Sequence, residues 1–415
     1  MGFDFPHIEL PFFTNLLLLL VLARFLGEIF ERMGQPSMIG EIIAGVILGP
    51  SLFNIIHRTE EIKVISELGI FLLVILAGLE INLEDIIKSI KGKNIIISIM
   101  AFFLPIFSGF GVGYFFGEDL ISTVFIGLCV AITALPVSIR ILMDLGKINS
   151  KIGQKIISVA ILDDVLALTI LGIILNLKEK TNKLPLTEVS LLTITETTIF
   201  SLVKLIVFIF ILGISYAFIQ KIAKRENYIE DKLDKLVLIL KAKESLFALF
   251  FVFVLLFATV TENLGFHFII GSFFAAMLIS ENLVGKKHID NFHKTTNSLA
   301  MGFLAPIFFA GIGLEFNFGS IENYGLLFSI LLVSLSSKII GGYFGGRLAG
   351  LTHKTSITMG IGLNARGIME LVIANIAYKN NLINTEVFSI LVIMGIFTTL
   401  STPFMLKRGF KYAES

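Results

Sequence analysis

The sequence predicts an all-α polytopic membrane protein of about 13 transmembrane helices, built as two inverted six-helix repeats joined by a linker helix, with two broken helices that cross. Three observations carry that expectation. The chain is too apolar to hide its surface in a water-soluble globule, short motifs recur seven spans apart, and ionisable residues sit at the centre of apolar runs. Of 415 residues, 55% are apolar and 16% charged, and the mean hydropathy is +0.90. Soluble domains carry about 25% charged residues, so the bilayer is the solvent this chain is written for.

A helix needs about 20 apolar residues to cross the hydrocarbon. Candidate runs lie near 10–31, 36–51, 62–81, 94–117, 120–146, 152–177, 194–220, 244–263, 265–281, 297–315, 323–346, 354–378 and 385–406. The second and ninth are short and contain Gly, so twelve spans with one re-entrant segment is the alternative count. The first run has no basic segment before it and no small-residue cleavage site after it, and reads as a retained span rather than a signal peptide. No soluble domain is expected after the last run.

Composition also excludes functions. The net charge of +1 carries no nucleic-acid footprint. Cys129 is the single cysteine, so no intrachain disulfide or Cys-based metal site is expected. There is no Gly-rich phosphate loop. The chain is expected not to be an enzyme and to need no cofactor.

Thirteen spans place the termini on opposite sides. Six basic residues flank the N-terminal side (Arg58, Lys63, Lys178, Lys180, Lys183, Lys379), against twenty on the other. The positive-inside rule then puts the N-terminus outside the cell, and the C-terminus and loop 221–243 in the cytoplasm. The expected location is the plasma (inner) membrane, surrounded by its lipids.

The internal repeat is short but ordered. Gly78-Leu79-Glu80-Ile81-Asn82 recurs 235 residues later as Gly313-Leu314-Glu315-Phe316-Asn317. At the same offset, Ile126-Gly127-Leu128 falls on Ile361-Gly362-Leu363, and Ile39-Gly40 is loosely matched by Ile270-Gly271. Each pair lies seven spans apart. Seven is odd, so matched spans cross in opposite directions, spans 1–6 against 8–13 with span 7 as connector. Inverted repeats mark alternating-access transporters, whose site lies at the midplane between the repeats.

An ionisable group at bilayer depth costs at least about 2.5–3.5 kcal/mol, so each needs a reason. Asp163-Asp164 stand at the centre of their span, beyond snorkelling reach. Adjacent helical residues point about 100° apart, so one carboxylate can face a neighbouring helix while the other faces a cavity. Lys338, deep in span 11, is the candidate counter-ion; snorkelling towards the cytoplasm is its alternative. Span 5 contains Thr133-Ala134-Leu135-Pro136, and Pro136 removes a backbone donor in mid-membrane. Such a break is tolerable where it lines a cavity or is buried in protein. The counterpart in span 12 is Gly362-Leu363-Asn364-Ala365-Arg366-Gly367. Two half-helices there would present opposed dipole ends, which Arg366 and Glu370 could neutralise. Arg140 lies ~10 Å from the midplane, within reach of the cytoplasmic interface.

At these residues the chain resembles a known family. Pro36-Ser37-Met38-Ile39-Gly40-Glu41-Ile42-Ile43-Ala44-Gly45-Val46-Ile47-Leu48-Gly49-Pro50 is similar to the second span of monovalent cation:proton antiporters of the NapA and Kef type, the cation:proton antiporter-2 group. So are Ile132-Thr133-Ala134-Leu135-Pro136-Val137-Ser138-Ile139-Arg140-Ile141-Leu142, the Asp163-Asp164 pair, and Asn364-Ala365-Arg366-Gly367-Ile368-Met369-Glu370-Leu371. The resemblance runs over essentially the whole chain. It implies a NhaA/NapA-like fold and a homodimer. The dimerisation domain would comprise 1–93 and 244–320, the core transport domain 94–177 and 321–415, with a linker helix and cytoplasmic loop at 178–243. It implies that Asp164 binds the cation and the proton, that Asp163 pairs with Lys338 and shares both ligands, and that Thr133 helps coordinate the ion, with Na⁺ held at Asp163 and Asp164. Two departures keep the ion open. Potassium-efflux members carry Gln-Asp at the pair and a cytoplasmic nucleotide-binding domain, neither expected here. The Asn-Ala-Arg-Gly-Ile-Met-Glu stretch is closer to plant and Kef-like branches than to the shortest sodium exchangers.

The expected function is secondary Na⁺(Li⁺)/H⁺ antiport, electrogenic, with the cation and protons competing at the midplane. K⁺/H⁺ exchange by the same residues is the alternative, and a cation channel a remote one, since no filter loop of the TVGYG kind is present. An intramembrane aspartyl protease would need its two acids on separate helices.

Overall fold

The computed structural model describes residues 11–57, 59–80, 93–181, 203–204, 206–208, 210–218, 221, 244–264, 266–279 and 286–414. Nearly all of loop 221–243, much of the linker span near 194–220, and Ile81-Asn82 of the first repeat motif lie outside the described residues. So do the side chains of Pro136 and Arg140. Every regular element among the described residues is helical.

In chain order these are α1 (Phe12–Arg32), α2 (Ser37–Leu48), α3 (Glu60–Leu79), α4 (Asn94–Phe115), α5 (Leu120–Ala131), α6 (Leu135–Asp144), α7 (Lys151–Thr181), α8 (Glu244–Asn263), α9 (Phe268–Leu278), α10 (Lys286–Leu299), α11 (Ala305–Glu315), α12 (Tyr324–Leu348), α13 (His353–Gly362), α14 (Ile368–Lys379) and α15 (Thr385–Glu414). Among the described residues, seven helical rods are long and apolar enough to cross a membrane. The chain is a multi-pass membrane protein. One rod joins α10 to α11 through a π-helical segment, Ala300–Leu304.

The helices group into two compact units. The first comprises 1–70, 85–167 and 300–415 and contains every candidate site residue; the second comprises 71–84 and 168–299. In the second unit α8 packs on α9, and Phe292 of α10 meets the rings of Phe247, Phe250 and Phe251 at centroid distances of 5.4, 4.7 and 5.7 Å.

Within the first unit, small residues set how closely helices approach, as expected where lipid replaces water and close packing drives association. α2 lies against α11 with Gly45 facing Gly313. A Cβ on Gly45 would fall 1.9 Å from the Ala310 carbonyl oxygen, and one on Gly313 would fall 2.1 Å from that of Ile42. The contact is backbone on backbone, and neither position has room for a side chain. Leu19, Ala23, Ala44, Leu48, Ile307 and Ala310 form the apolar cluster around it. α4 packs on α5 and on α12, and α12 on α13.

Two predicted spans are broken. Span 5 is α5 and α6, separated by 132–134; Ile132 and Ala134 are extended, with φ/ψ of −71/142 and −76/113°. Pro136 is not the break itself. It stands in the first turn of α6, where a missing N–H costs nothing. Span 12 is α13 and α14, separated by 363–367. The two breaks meet: Ala134 N donates to Ala365 O at 2.8 Å. Gly367 makes that approach possible, because a Cβ there would lie 2.7 Å from Val137 Cγ2. The half-helices α5 and α14 each have 12 residues, so each runs about 18 Å from the crossing.

Candidate cation site at the helix crossing

The crossing collects charged residues that are distant in sequence. Lys338 Nζ donates to Asp163 Oδ2 at 2.7 Å, and both side chains are fully buried. The ammonium's other donors go to the carbonyls of Ala101 at 2.9 Å and of Ala131. Three N–H groups thus meet three acceptors, which is what makes a buried lysine tolerable. Lys338 also caps the last carbonyl of α5, where the helix dipole is negative.

Thr133 joins the pair to the crossing. Its Oγ1 lies 2.7 Å from Asp163 Oδ2 and 2.9 Å from Leu363 O. A hydroxyl has one proton, so it donates to one of these at a time. Asp163 is therefore tied to α12 through Lys338 and to the first break through Thr133, whose hydroxyl can turn instead to Leu363 O of the second. Asp164, the next residue, is 1% exposed, and helical geometry turns it about 100° away.

Arg366 acts on the half-helix opposite its own. Nη1 donates to Cys129 O, and Nη2 to Val130 O at 2.5 Å and Ser334 O at 3.1 Å. Cys129 and Val130 are the two residues before the last of α5, so Arg366 and Lys338 together cover three successive carbonyls at its end. Thr399 of α15 holds the Arg366 backbone, its Oγ1 donating to Arg366 O at 2.8 Å. Glu370 stands in the first turn of α14 and is fully buried, a placement the positive end of that helix favours. Its carboxyl faces α15 at Gly395, where an added Cβ would sit 3.5 Å from either oxygen. Asn364 lies in the second break, with Nδ2 donating to Leu335 O at 3.2 Å.

The structure thus bonds Thr133, Asp163 and Lys338 together and places Asn364 and Arg366 on carbonyls of the same crossing. Pro136 enters it through the backbone start of α6, and Glu370 through its place in α14. Sequence reasoning missed the carbonyls of Ala101, Ala131, Val130 and Ser334, which no residue type announces. It also passed over Glu41, although the cost of a mid-membrane acid applies there equally. Glu41 is 2% exposed and its Oε1 lies 3.8 Å from Arg24 Nη1. Arg24 in turn donates to Met301 O at 3.2 Å, inside the π-helical segment.

A buried acid in this setting is a switchable charge. Out of water the neutral form is favoured; a desolvated alkali cation beside it favours the ionised form. The same oxygens can serve a proton or a cation, but not both.

Known proteins resemble this chain over nearly its whole length. The pattern of the family described as sodium/hydrogen exchanger, transmembrane, matches residues 17–410. A protein of Bacillus cereus described as a probable Na⁺/H⁺ antiporter, GerT, is 30% identical over 96% of this chain and 99% of its own. A Na⁺/H⁺-K⁺ antiporter of the same organism, GerN, is 28% identical over 97% of both chains. A Na⁺/H⁺ antiporter of Enterococcus hirae is 29% identical over 95% of this chain and 97% of its own. Among solved structures, the sodium proton antiporter MjNhaP1 from Methanocaldococcus jannaschii superposes with a TM-score of 0.67, covering 97% of this chain and 98% of that one at 16% identity, and so shares the fold.

Proposed function

This chain belongs to the sodium/hydrogen exchanger transmembrane family, and from that premise we propose that it is a secondary Na⁺(Li⁺)/H⁺ antiporter in which cation and protons compete at Asp163 and Asp164. The observation that carries the reading is the fully buried Asp163–Lys338 ion pair, held at the meeting point of two broken helices. A pair kept only for stability would be an expensive choice, since apolar residues of similar volume usually do as well. If the core changes its exposure only when Asp164 is neutralised by a proton or a cation, exchange is obligatory. Neither ATP nor a redox cofactor is required.

We assign the chain to the cation:proton antiporter-2 branch, on the Asp163-Asp164 and Asn364-to-Leu371 motifs. The test uses purified protein in vesicles loaded with a pH dye. Pulses of Na⁺ and Li⁺ should dissipate an imposed pH gradient, and choline should not. A gradient that survives every alkali cation would refute antiport. K⁺/H⁺ exchange is the second reading, favoured by the relative described as a Na⁺/H⁺-K⁺ antiporter; K⁺ pulses in the same vesicles decide between them.

The domain division follows from the same reading. The close α1, α2 and α11 packing is what a dimerisation unit with spans 1, 2 and 10 would use, and the α4, α5 and α12 packing what a transport core would use. The chain then sits in the plasma membrane as a homodimer, N-terminus outside and loop 221–243 inside, on the asymmetry of basic residues. Cysteines introduced into that loop should resist impermeant thiol reagents added to intact cells and react once the membrane is opened. Ready labelling from outside would reverse the topology.

A further inference from the structure

We propose that Asn364 supplies a neutral oxygen ligand, Oδ1, to the transported cation and so sets the preference among alkali ions. The proposal rests on the reading of Asp163 and Asp164 as the cation site and deepens it.

Three features carry the assignment. First, Asn364 is fully buried, and its Oδ1 has no hydrogen-bond donor among the described residues. A buried amide oxygen left so is unfavourable unless something else uses it. Second, its backbone neighbours are stitched to the opposite break. Leu363 O lies 2.9 Å from Thr133 Oγ1, and Ala365 O accepts from Ala134 N at 2.8 Å. Asn364 is thus held beside Thr133, whose hydroxyl reaches Asp163. Third, its amide head is oriented. Nδ2 donates to Leu335 O, three residues and about one turn before Lys338 on α12. Lys338 is itself bonded to Asp163, so the amide nitrogen is anchored on α12 about one turn from the lysine that holds the acid, and Oδ1 keeps a fixed position with it. Asp163 Oδ1 is likewise buried without a hydrogen-bond donor among the described residues.

A cation leaving water must replace its hydration shell with oxygen ligands, and carbonyl dipoles serve this purpose. The two acids supply charge, and the number and placement of the remaining oxygen ligands bear on which alkali ion fits. A neutral oxygen fixed on a break residue adds a ligand at a set position without adding a proton to the exchange. It can tune which ion is accepted while leaving the proton count to Asp163, Asp164 and Lys338.

The experiment measures cation-dependent proton exchange of the full chain in proteoliposomes with Na⁺, Li⁺ and K⁺. Asn364→Ala should raise the half-saturating Na⁺ concentration about tenfold and that for K⁺ by less, so that the Na⁺/K⁺ preference falls. If Asn364 is merely structural, the maximal rate drops alike for all ions and the preference stays; that result overturns the proposal. Should the Ala variant not fold, Asn364→Asp keeps the shape and adds a charge, and should tighten Na⁺ about tenfold; unchanged Na⁺ affinity overturns the proposal. Asp164→Asn separates the two readings. Loss of exchange there with an unchanged preference in Asn364→Ala sinks only the Asn364 assignment, whereas retained exchange in Asp164→Asn removes the cation site on which it rests.

Discussion

Replacing Asp164 by Asn is expected to reduce Na⁺-driven proton exchange by more than about a hundredfold, which corresponds to about 2.7 kcal/mol at 1.36 kcal/mol per decade. Asn keeps the volume of the side chain but can neither release a proton nor supply the charge that pulls a cation out of water. The bonds that organise the crossing belong to its neighbour: Asp163 holds Lys338 and Thr133. The variant should therefore insert and run as a monodisperse species. Asp163→Asn should behave differently, because it leaves the fully buried Lys338 without its carboxylate, and breaking a buried pair costs about 3–5 kcal/mol. Thermal unfolding of the two variants in detergent, beside their exchange rates in vesicles, separates lost chemistry from lost stability. Wild-type exchange by well-folded Asp164→Asn protein would remove Asp164 from the mechanism.

The second large effect concerns charge movement. With one working carboxylate, a proton replaces a monovalent cation and no net charge moves. Here the Asp163–Lys338 ion pair stands next to Asp164 and is expected to act as a second titrating unit. When a cation ionises Asp164 and draws on Asp163, the 2.7 Å contact to Lys338 weakens. An ammonium buried without its carboxylate is costly, and shedding its proton relieves that cost. The proton belongs to the coupled pair rather than to either residue. More than one proton per cation is then expected to cross, and exchange is expected to be electrogenic. A potential of 100 mV would bias it by about 2.3 kcal/mol per net charge. In proteoliposomes an imposed potential should change Na⁺-driven proton flux, and a Na⁺ jump should give a transient current. Flux indifferent to the potential, with no current, would leave an electroneutral exchanger.

Several features of the site were legible from local information. The depth of Asp163, Asp164 and Lys338 follows from counting residues into apolar runs. The two breaks were signalled by Pro136, which starts the half-helix after the first, and by the Gly362–Gly367 stretch around the second. The Gly-Leu-Glu repeat indicated that the breaks would lie in related spans. Glu41 was equally visible by the same rule, being an acid inside an apolar run, and its partner Arg24 sits only one helix earlier. What local information lacks is direction. Asp163 and Asp164 are the same residue type on the same helix, and only the packing of α12 selects which of them meets Lys338.

The sequence by itself determined that this chain is a polytopic membrane protein with costly charges at mid-depth and two interrupted spans, because hydropathy, residue spacing and backbone chemistry act over one helix at a time. Tertiary structure alone decided the rest. Arg366 leaves its own break to bind the carbonyls of Cys129 and Val130, 237 and 236 residues away. Lys338 reaches Ala131 and Asp163 across 207 and 175 residues. The physical reason is that a helix end in a membrane leaves carbonyls that water cannot reach. They must be met by whichever donor the fold brings within hydrogen-bond distance, and that donor is named by the packing of distant helices rather than by anything written beside the carbonyls in the chain.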